Sequence, residues 1–251
     1  MIHREDHGRV AVLRIEHGKA NAVDIDLFDA LDEQLEAVEE SEARAVVLTG
    51  TGSAFSAGVD LFRVLEGGEA YLRAFLPALS RGICRLFGFH RPVIAAVNGH
   101  AIAGGCILAL ACDRRVMARG KGKIGVTELK VGVPFPVAAL EVLRFQVPDR
   151  LVQDLVYTGR LIGADEARSA GLVDQLADPE ELMAEALGQA EALAAIPGDS
   201  FALTKRQLRQ HVLHHIENEE EHMEEEIARI WSDPATHRVI RAFVEATLGK
   251  G

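Results

Sequence analysis

Aromatic residues are scarce: Tyr 2, Trp 1 and Phe 10 make up 5% of 251 residues. That leaves few platforms on which nucleic-acid bases could stack. Positive charge is also short. Lys+Arg 27 against Asp+Glu 38 gives a formal net charge of −11. Such a surface repels phosphate backbones, and no basic patch with interleaved aromatics interrupts it, so nucleic acid is not expected as a partner. Cysteine is limited to Cys84, Cys106 and Cys112, with no CxxC pair. Neither a disulfide framework nor a zinc cage is expected, and a reducing, cytoplasmic setting fits. The opening MIHREDHGRV lacks the apolar run of a secretory signal, no C-terminal lipidation motif is present, and no segment recurs at a fixed period.

One stretch, Pro92 to Cys112, carries no Asp, Glu, Lys or Arg and is long enough to span a bilayer. Asn98-Gly99-His100 places a turn inside it. A buried strand, a turn and a small-residue helix are therefore expected, and no membrane span.

What remains is ordinary globular material, 48% hydrophobic and 26% charged, enough for a sizeable core. Val10 to Ile15 alternates like a strand, and Ala45 to Thr49 reads as a fully buried one. Between them Ile25, Phe28, Leu31, Leu35 and Val38 recur at helical spacing. A helix over Tyr71 to Phe87 precedes a strand over Val93 to Val97, and a helix from Gly104 to Cys112 precedes a strand over Arg115 to Ala118. This alternation predicts α/β architecture, a parallel sheet covered by helices. After Pro148 strands nearly vanish, apart from a short Leu172 to Leu176 run. Helices are predicted over 149–157, 164–169, 179–195, 200–231 and 234–248. Pro197-Gly198 divides the chain into a core, 1–197, and a helical C-terminal region, 198–251, which needs a neighbour to bury its apolar face.

Two small-residue turns carry the candidate chemistry. Phe55-Ser56-Ala57-Gly58-Val59-Asp60-Leu61 follows a strand and a Gly-rich loop. Its lack of bulk lets the backbone approach a ligand. Asn98-Gly99-His100-Ala101-Ile102-Ala103-Gly104-Gly105-Cys106 runs into a helix whose first N–H groups lack internal partners. Two such backbone donors can make an oxyanion hole, although tight packing explains glycines equally well. Three other patterns are set aside. Gly120-Lys121-Gly122-Lys123-Ile124-Gly125 satisfies G-x-G-x-x-G but leads into β-like sequence rather than a helix. His211 and His215 have the spacing of a metal pair without an HExxH motif, so no metal site is expected. No Ser sits in a G-x-S-x-G elbow.

Together with Gly125-Val126-Thr127-Glu128-Leu129-Lys130-Val131-Gly132-Val133-Pro134, Gly159-Arg160-Leu161-Ile162-Gly163-Ala164-Asp165-Glu166-Ala167 and Gly171-Leu172-Val173-Asp174, the two turns resemble the enoyl-CoA hydratase/isomerase (crotonase) superfamily. The resemblance implies a crotonase-like spiral of β-β-α repeats with a helical C-terminal trimerisation part. It further implies acyl-CoA thioester substrates, a homotrimer or hexamer, and no cofactor beyond the coenzyme A that enters with the substrate. Its oxyanion hole falls on the backbone N–H groups of Val59 and Gly104. Its CoA-lining positions fall on Lys19, Ala20, Ala57 and Asp60, and its second catalytic glutamate on Glu128. The first catalytic glutamate is replaced by Ile107, flanked by Cys106 and Leu108, none of which can act as a carboxylate. Hydration depends on two such groups, whereas one base suffices to carry a proton from C2 to C4. Ala103-Gly104-Gly105-Cys106-Ile107 and Gly132-Val133-Pro134-Phe135 resemble the Δ3,Δ2-enoyl-CoA isomerase branch, with Ile107, Pro134 and Phe135 against the acyl group. The expectation is an isomerase. A hydratase with atypical acid/base residues and a non-catalytic acyl-CoA binder are the alternatives.

Overall fold

The computed structural model describes residues 1–18 and 20–247. An antiparallel hairpin, β1 (Ile2–His7) and β2 (Val10–Ile15), leads into α1 (Ile25–Glu39). Three strand–strand–helix units follow. They are β3 (Ala45–Gly50), β4 (Ala54–Ser56) and α2 (Leu61–Gly88); β5 (Val93–Val97), β6 (His100–Ile102) and α3 (Gly104–Ala111); and β7 (Arg114–Ala118), β8 (Lys123–Gly125) and α4 (Glu128–Val131). Next come α5 (Val137–Gln146), α6 (Asp149–Thr158), β9 (Ile162–Gly163), α7 (Ala164–Ser169), β10 (Gln175–Ala177) and α8 (Leu182–Ala194). Two helices, α9 (Gly198–Ser232) and α10 (Pro234–Thr247), end the described chain.

In each unit the first strand joins one sheet and the second strand another. The larger sheet has the order β1-β2-β3-β5-β7-β10 and the smaller β4-β6-β8-β9. Every pairing from β2 to β10 in the larger sheet is parallel. Both of its faces are covered, which is why β3 and β5 are apolar and buried throughout rather than alternating. On one face Val10, Val47, Ile94 and Val116 meet Leu182, Ala186, Ala190 and Ala194 of α8, whose alanines allow close approach. The other face packs the main core with α1, α2 and α3. Winding one unit per turn produces the spiral of β-β-α repeats that the resemblance implies.

Local sequence explains most elements. Asp24 caps α1 by accepting from the Leu27 N–H, and Leu27, Phe28, Leu31, Leu35 and Val38 form its buried stripe. Helix α2 corrects the expectation, because it begins at Leu61 and not at Tyr71. Its first segment is capped by Asp60, and Gly68, at φ 54°, kinks it and breaks the helical period. The α5 helix was hidden by Pro134 and Pro136, which punctuate the sequence just ahead of it; Pro136 stands at its N-cap. Pro92 to Cys112 folds as β5, β6 and α3, and among the described residues no helix is long and apolar enough to cross a membrane. Leu248, the expected end of the last helix, and Lys19 lie outside the described residues.

The C-terminal α9 is docked by a buried charge cluster. Asp113, just before β7, accepts from Lys205 Nζ at 2.7 Å and pairs with Arg209 at 2.9 Å. Arg209 also donates to the carbonyls of Phe87 and Ala111 and lies 4.2 Å over the Phe87 ring.

Candidate active site

Three chain segments leave the small sheet side by side. Because β4, β6 and β8 are parallel neighbours, their C-terminal ends share one edge, where open α/β sheets present ligands. Val59 lies on the exit from β4 into α2, Gly104 begins α3 after β6, and Glu128 begins α4 after β8. They occupy equivalent points of three successive units, which is how residues far apart in sequence come together.

Among the described residues the Val59 N–H meets no backbone acceptor, which follows from the way its neighbours bond. Val23 forms a parallel bridge with Val59, its N–H donating to the Gly58 carbonyl at 2.8 Å and its carbonyl accepting from the Asp60 N–H at 2.9 Å. Since the flanking residues take those bonds, the polar groups of Val59 itself point away from Val23. Gly104 lies on the other side: a Cβ placed there would stand 3.7 Å from the Val59 nitrogen. A side chain at 104 would therefore cover that N–H, and glycine leaves it open. The Gly104 N–H, at the first position of α3, lacks an intrahelical acceptor.

Two features hold this approach close. Gly105 admits no side chain, because a Cβ would meet the Ser56 carbonyl oxygen. Ala103 adopts φ 51°, a strained conformation for a residue with a Cβ, and its N–H donates to the Gly125 carbonyl at 2.9 Å. That bond ties the start of α3 to the end of β8.

Glu128 is 8% exposed, and its Oε2 is buried without a hydrogen-bond partner. Burial pushes its carboxyl up to about 7, offset in part by the backbone N–H groups of Glu128 and Thr127. Among the described residues Asp24 and Glu128 are the acidic residues buried as whole residues, and Asp24 is fully engaged by partners; a second buried carboxyl oxygen without a partner, Oε1 of Glu220, belongs to a partly exposed residue of α9. Glu128 therefore combines inaccessibility to bulk water, an unused oxygen and a proton affinity suited to transfer near neutral pH.

The remaining expected residues fall as follows. Ile107 is wholly buried in the main core, as are Cys106 and Leu108. Burial raises the Cys106 thiol, and the negative charge of Glu128 adds to the rise. Phe135 is buried, and Pro134 presents its carbonyl to Trp231 Nε1 at 3.0 Å, so α9 holds the loop that follows Glu128. Ala57 and Ala20 are joined by an N–H···O bond of 3.0 Å, bringing two of the CoA-lining positions together. Asp60 spends Oδ1 on the N–H groups of Phe62 and Arg63 at the start of α2. The glycine motif at 120–125 enters strand β8 and not a helix.

A cavity of about 430 Å³ lies between the turn before β3, the start of β5 and the α8–α9 junction, at the opposite ends of the large-sheet strands. Sequence reasoning missed Asp24, whose position ahead of an apolar helical stripe marked a cap. It also missed Asn21, left-handed at φ 55° and buried, which donates to the carbonyls of Thr51 and Ala54 and so fixes the N-terminal turn against the site.

Comparison with known proteins bears on the family and the fold. A putative enoyl-CoA hydratase of Thermus thermophilus is 43% identical over 188 residues, 73% of this chain and 72% of that one. The crystal structure of human mitochondrial Δ3-Δ2-enoyl-CoA isomerase superposes over 100% of this chain and 99% of that one, with a TM-score of 0.94 at 25% identity. A probable enoyl-CoA hydratase of Mycobacterium tuberculosis matches with a TM-score of 0.85 at 27% identity over 91% of this chain and 96% of that one. A second structure of that same mycobacterial protein describes it as an enoyl-CoA isomerase (TM-score 0.79, 28% identity, 86% and 94% covered). The family model described as enoyl-CoA hydratase/isomerase matches residues 5–247, and the chain accordingly belongs to the enoyl-CoA hydratase/isomerase family.

Proposed function

We propose that this family member shifts the double bond of a 3-enoyl-CoA to the 2-position, with Glu128 as the single acid/base. The observation that carries the reading is the pairing of a buried, partly unpartnered Glu128 with an apolar, fully buried Ile107 where a second carboxyl would stand. In this reading the thioester oxygen sits between the Val59 and Gly104 N–H groups. The Glu128 carboxylate removes a proton from C2, and the C–H electron pair moves toward the thioester carbon, placing negative charge on the oxygen. The two N–H groups meet that charge once bound substrate has displaced water from them, where a fixed donor is worth more than a solvent one. Collapse of the enolate forms the C2=C3 bond, the former C3=C4 pair takes the proton from Glu128 at C4, and the carboxylate is regenerated. No separate cofactor enters, since coenzyme A arrives as part of the substrate. Ala20, Ala57 and Asp60, with Lys19, line its approach, and Ile107, Pro134 and Phe135 face the acyl chain. The working unit is a homotrimer or hexamer, supported by the exposed apolar Leu203, Leu208, Met223 and Val239 on the C-terminal helices.

A second reading, a hydratase with atypical acid/base groups, is favoured by the description of the Thermus relative. The two are separated by the sign of one signal. Isomerisation of 3-enoyl-CoA creates the absorbance of the conjugated thioester, and hydration of 2-enoyl-CoA destroys it. We expect the first reaction to be fast and the second weak. Hydration as fast as isomerisation would overturn the one-base reading, and neither reaction with intact acyl-CoA binding would identify a binder.

A further inference from the structure

The segment that holds Val59 from behind ends on a carboxylate whose bonding exceeds what a helix cap requires. Asp24 is 1% exposed. Its Oδ1 accepts from the Leu27 N–H at 2.8 Å, which completes the cap of α1. A serine or asparagine would do that much. The other oxygen, Oδ2, meets His17 Nε2 at 2.7 Å and lies 3.3 Å from Arg63. Each of these partners belongs to a different segment. His17 opens the N-terminal turn, where its own N–H donates to Asn21 Oδ1 at 3.0 Å. Arg63 stands in the first turn of α2, four residues beyond Val59, and also pairs with Asp26 at 2.7 Å. One buried carboxylate thus fastens the turn, the start of α1 and the start of α2 at a single point.

That point adjoins the residue that aims the candidate oxyanion donor. Val23 immediately precedes Asp24 and bonds to Gly58 and Asp60 on either side of Val59. Because these two bonds bracket Val59, a displacement of Val23 is passed to the Val59 peptide. Hydrogen-bond strength falls steeply as the donor's direction is lost. We propose that Asp24 is a positioning residue for the reaction. Clamped by His17 and Arg63, it fixes Val23 and, through Val23, the direction of the Val59 N–H toward the thioester oxygen. The inference rests on the reading of Val59 as an oxyanion donor given above.

Asp24→Asn tests it, because the amide keeps the shape and the Oδ1 cap while removing the charge that holds His17 and Arg63. The informative readout is the carbonyl stretch of a bound 2-enoyl-CoA in isotope-difference infrared spectra, which two aimed donors pull to lower frequency. The variant is expected to lose about half of that shift and about tenfold in kcat, less than outright removal of a donor costs. KM for the CoA ester should stay within about threefold, since the interaction strengthens in the transition state. Arg63→Gln, at a half-exposed side chain that meets Oδ2 of Asp24 and not the capping Oδ1, should show a smaller change of the same kind, and it carries the test if Asp24→Asn does not fold. A full carbonyl shift and unchanged kcat in a merely less heat-stable Asp24→Asn would reduce Asp24 to a helix cap and overturn the proposal alone. No shift in the parent protein would overturn the oxyanion reading, and the positioning role with it.

Discussion

At Glu128 the chemistry and the stability pull in opposite directions, and pH exposes both. Burial raises its carboxyl from the ordinary 4.5 to about 7, so below about 7 the base is increasingly protonated. kcat/KM is expected to fall about tenfold per pH unit on the acid side and to level off above about 7, with no second limb from a partner acid. A bell-shaped profile would reveal another group and favour hydration. Glu128→Gln should lower turnover more than a hundredfold, of the order expected for loss of a general base, with CoA-ester binding retained. For stability the folded pKa lies above the unfolded one, so the native state binds the extra proton. The linked stability is fully present below about 4.5 and is lost as pH rises to about 7, a difference on the order of 3 kcal/mol. The glutamine variant should therefore match the parent in thermal midpoint at low pH and exceed it above pH 7. Equal midpoints at high pH would mean that the carboxylate is well solvated in the native state. Ile107→Glu is the complementary change. Its site is wholly buried within the core, so a new carboxyl there should cost on the order of several kcal/mol. A stable Ile107→Glu protein that gains hydration would show instead that the core tolerates at 107 the second carboxyl that hydration needs.

Among the elements, α9 depends on charge for its seat. Lys205 and Arg209 side chains are each 6% exposed and Asp113 12%, and Asp113 also accepts from the Val93 N–H at 2.7 Å. Removing the acid strands two cations in a low-dielectric interior. Asp113→Ala is expected to destabilise by about 3–5 kcal/mol and to open the Pro197-Gly198 junction to proteolysis. A wild-type melting temperature and cleavage pattern in that variant would show that apolar packing alone seats the helix. None of this cluster was legible in the sequence, since it joins residues nearly a hundred positions apart. What was legible follows one rule: elements whose own periodicity matches their burial. The Ile25–Val38 stripe, the buried strands at 45–49 and 93–97 and the small-residue helix after Ala103 all satisfy it. Elements that fail it escaped notice. The β4 and β6 strands are too short to show a period, the beginning of α2 is cut off by Gly68, and β1 is an edge strand with only partial burial, while β8, equally short, was legible only as β-like sequence after the glycine motif. The same division runs through the site. The two turns stood out because glycine marks special backbone, whereas Glu128 came only through the family resemblance, since nothing local separates it from the other acids among Asp+Glu 38. That they share one edge of a small sheet is a property of topology, which no local pattern contains.

For the whole molecule, the C-terminal helices set apolar attraction against charge. Leu203, Leu208 and Met223 of α9 and Val239 of α10 are exposed between 45% and 60%, a cost in water that burial in an assembly would recover. The chain carries a formal net charge of −11, so every added copy brings the same repulsion, and α9 itself holds the acidic run Glu217, Glu219, Glu220, Glu221, Glu224, Glu225 and Glu226. Apolar burial is insensitive to moderate salt, whereas repulsion between exposed charges is screened over a Debye length of about 8 Å at physiological ionic strength. If these helices mediate self-association, raising salt from a few millimolar to physiological strength should tighten the assembly, and sedimentation velocity should show the balance moving toward the larger species. Leu208→Glu adds a charge and removes the most exposed of these leucines, so it should weaken the assembly, most strongly at low salt. Because Leu208 is exposed, the folded chain should lose little stability. Dissociation with rising salt would point to an interface held by ion pairs, and an assembly untouched by Leu208→Glu would place the contact on another face of the molecule.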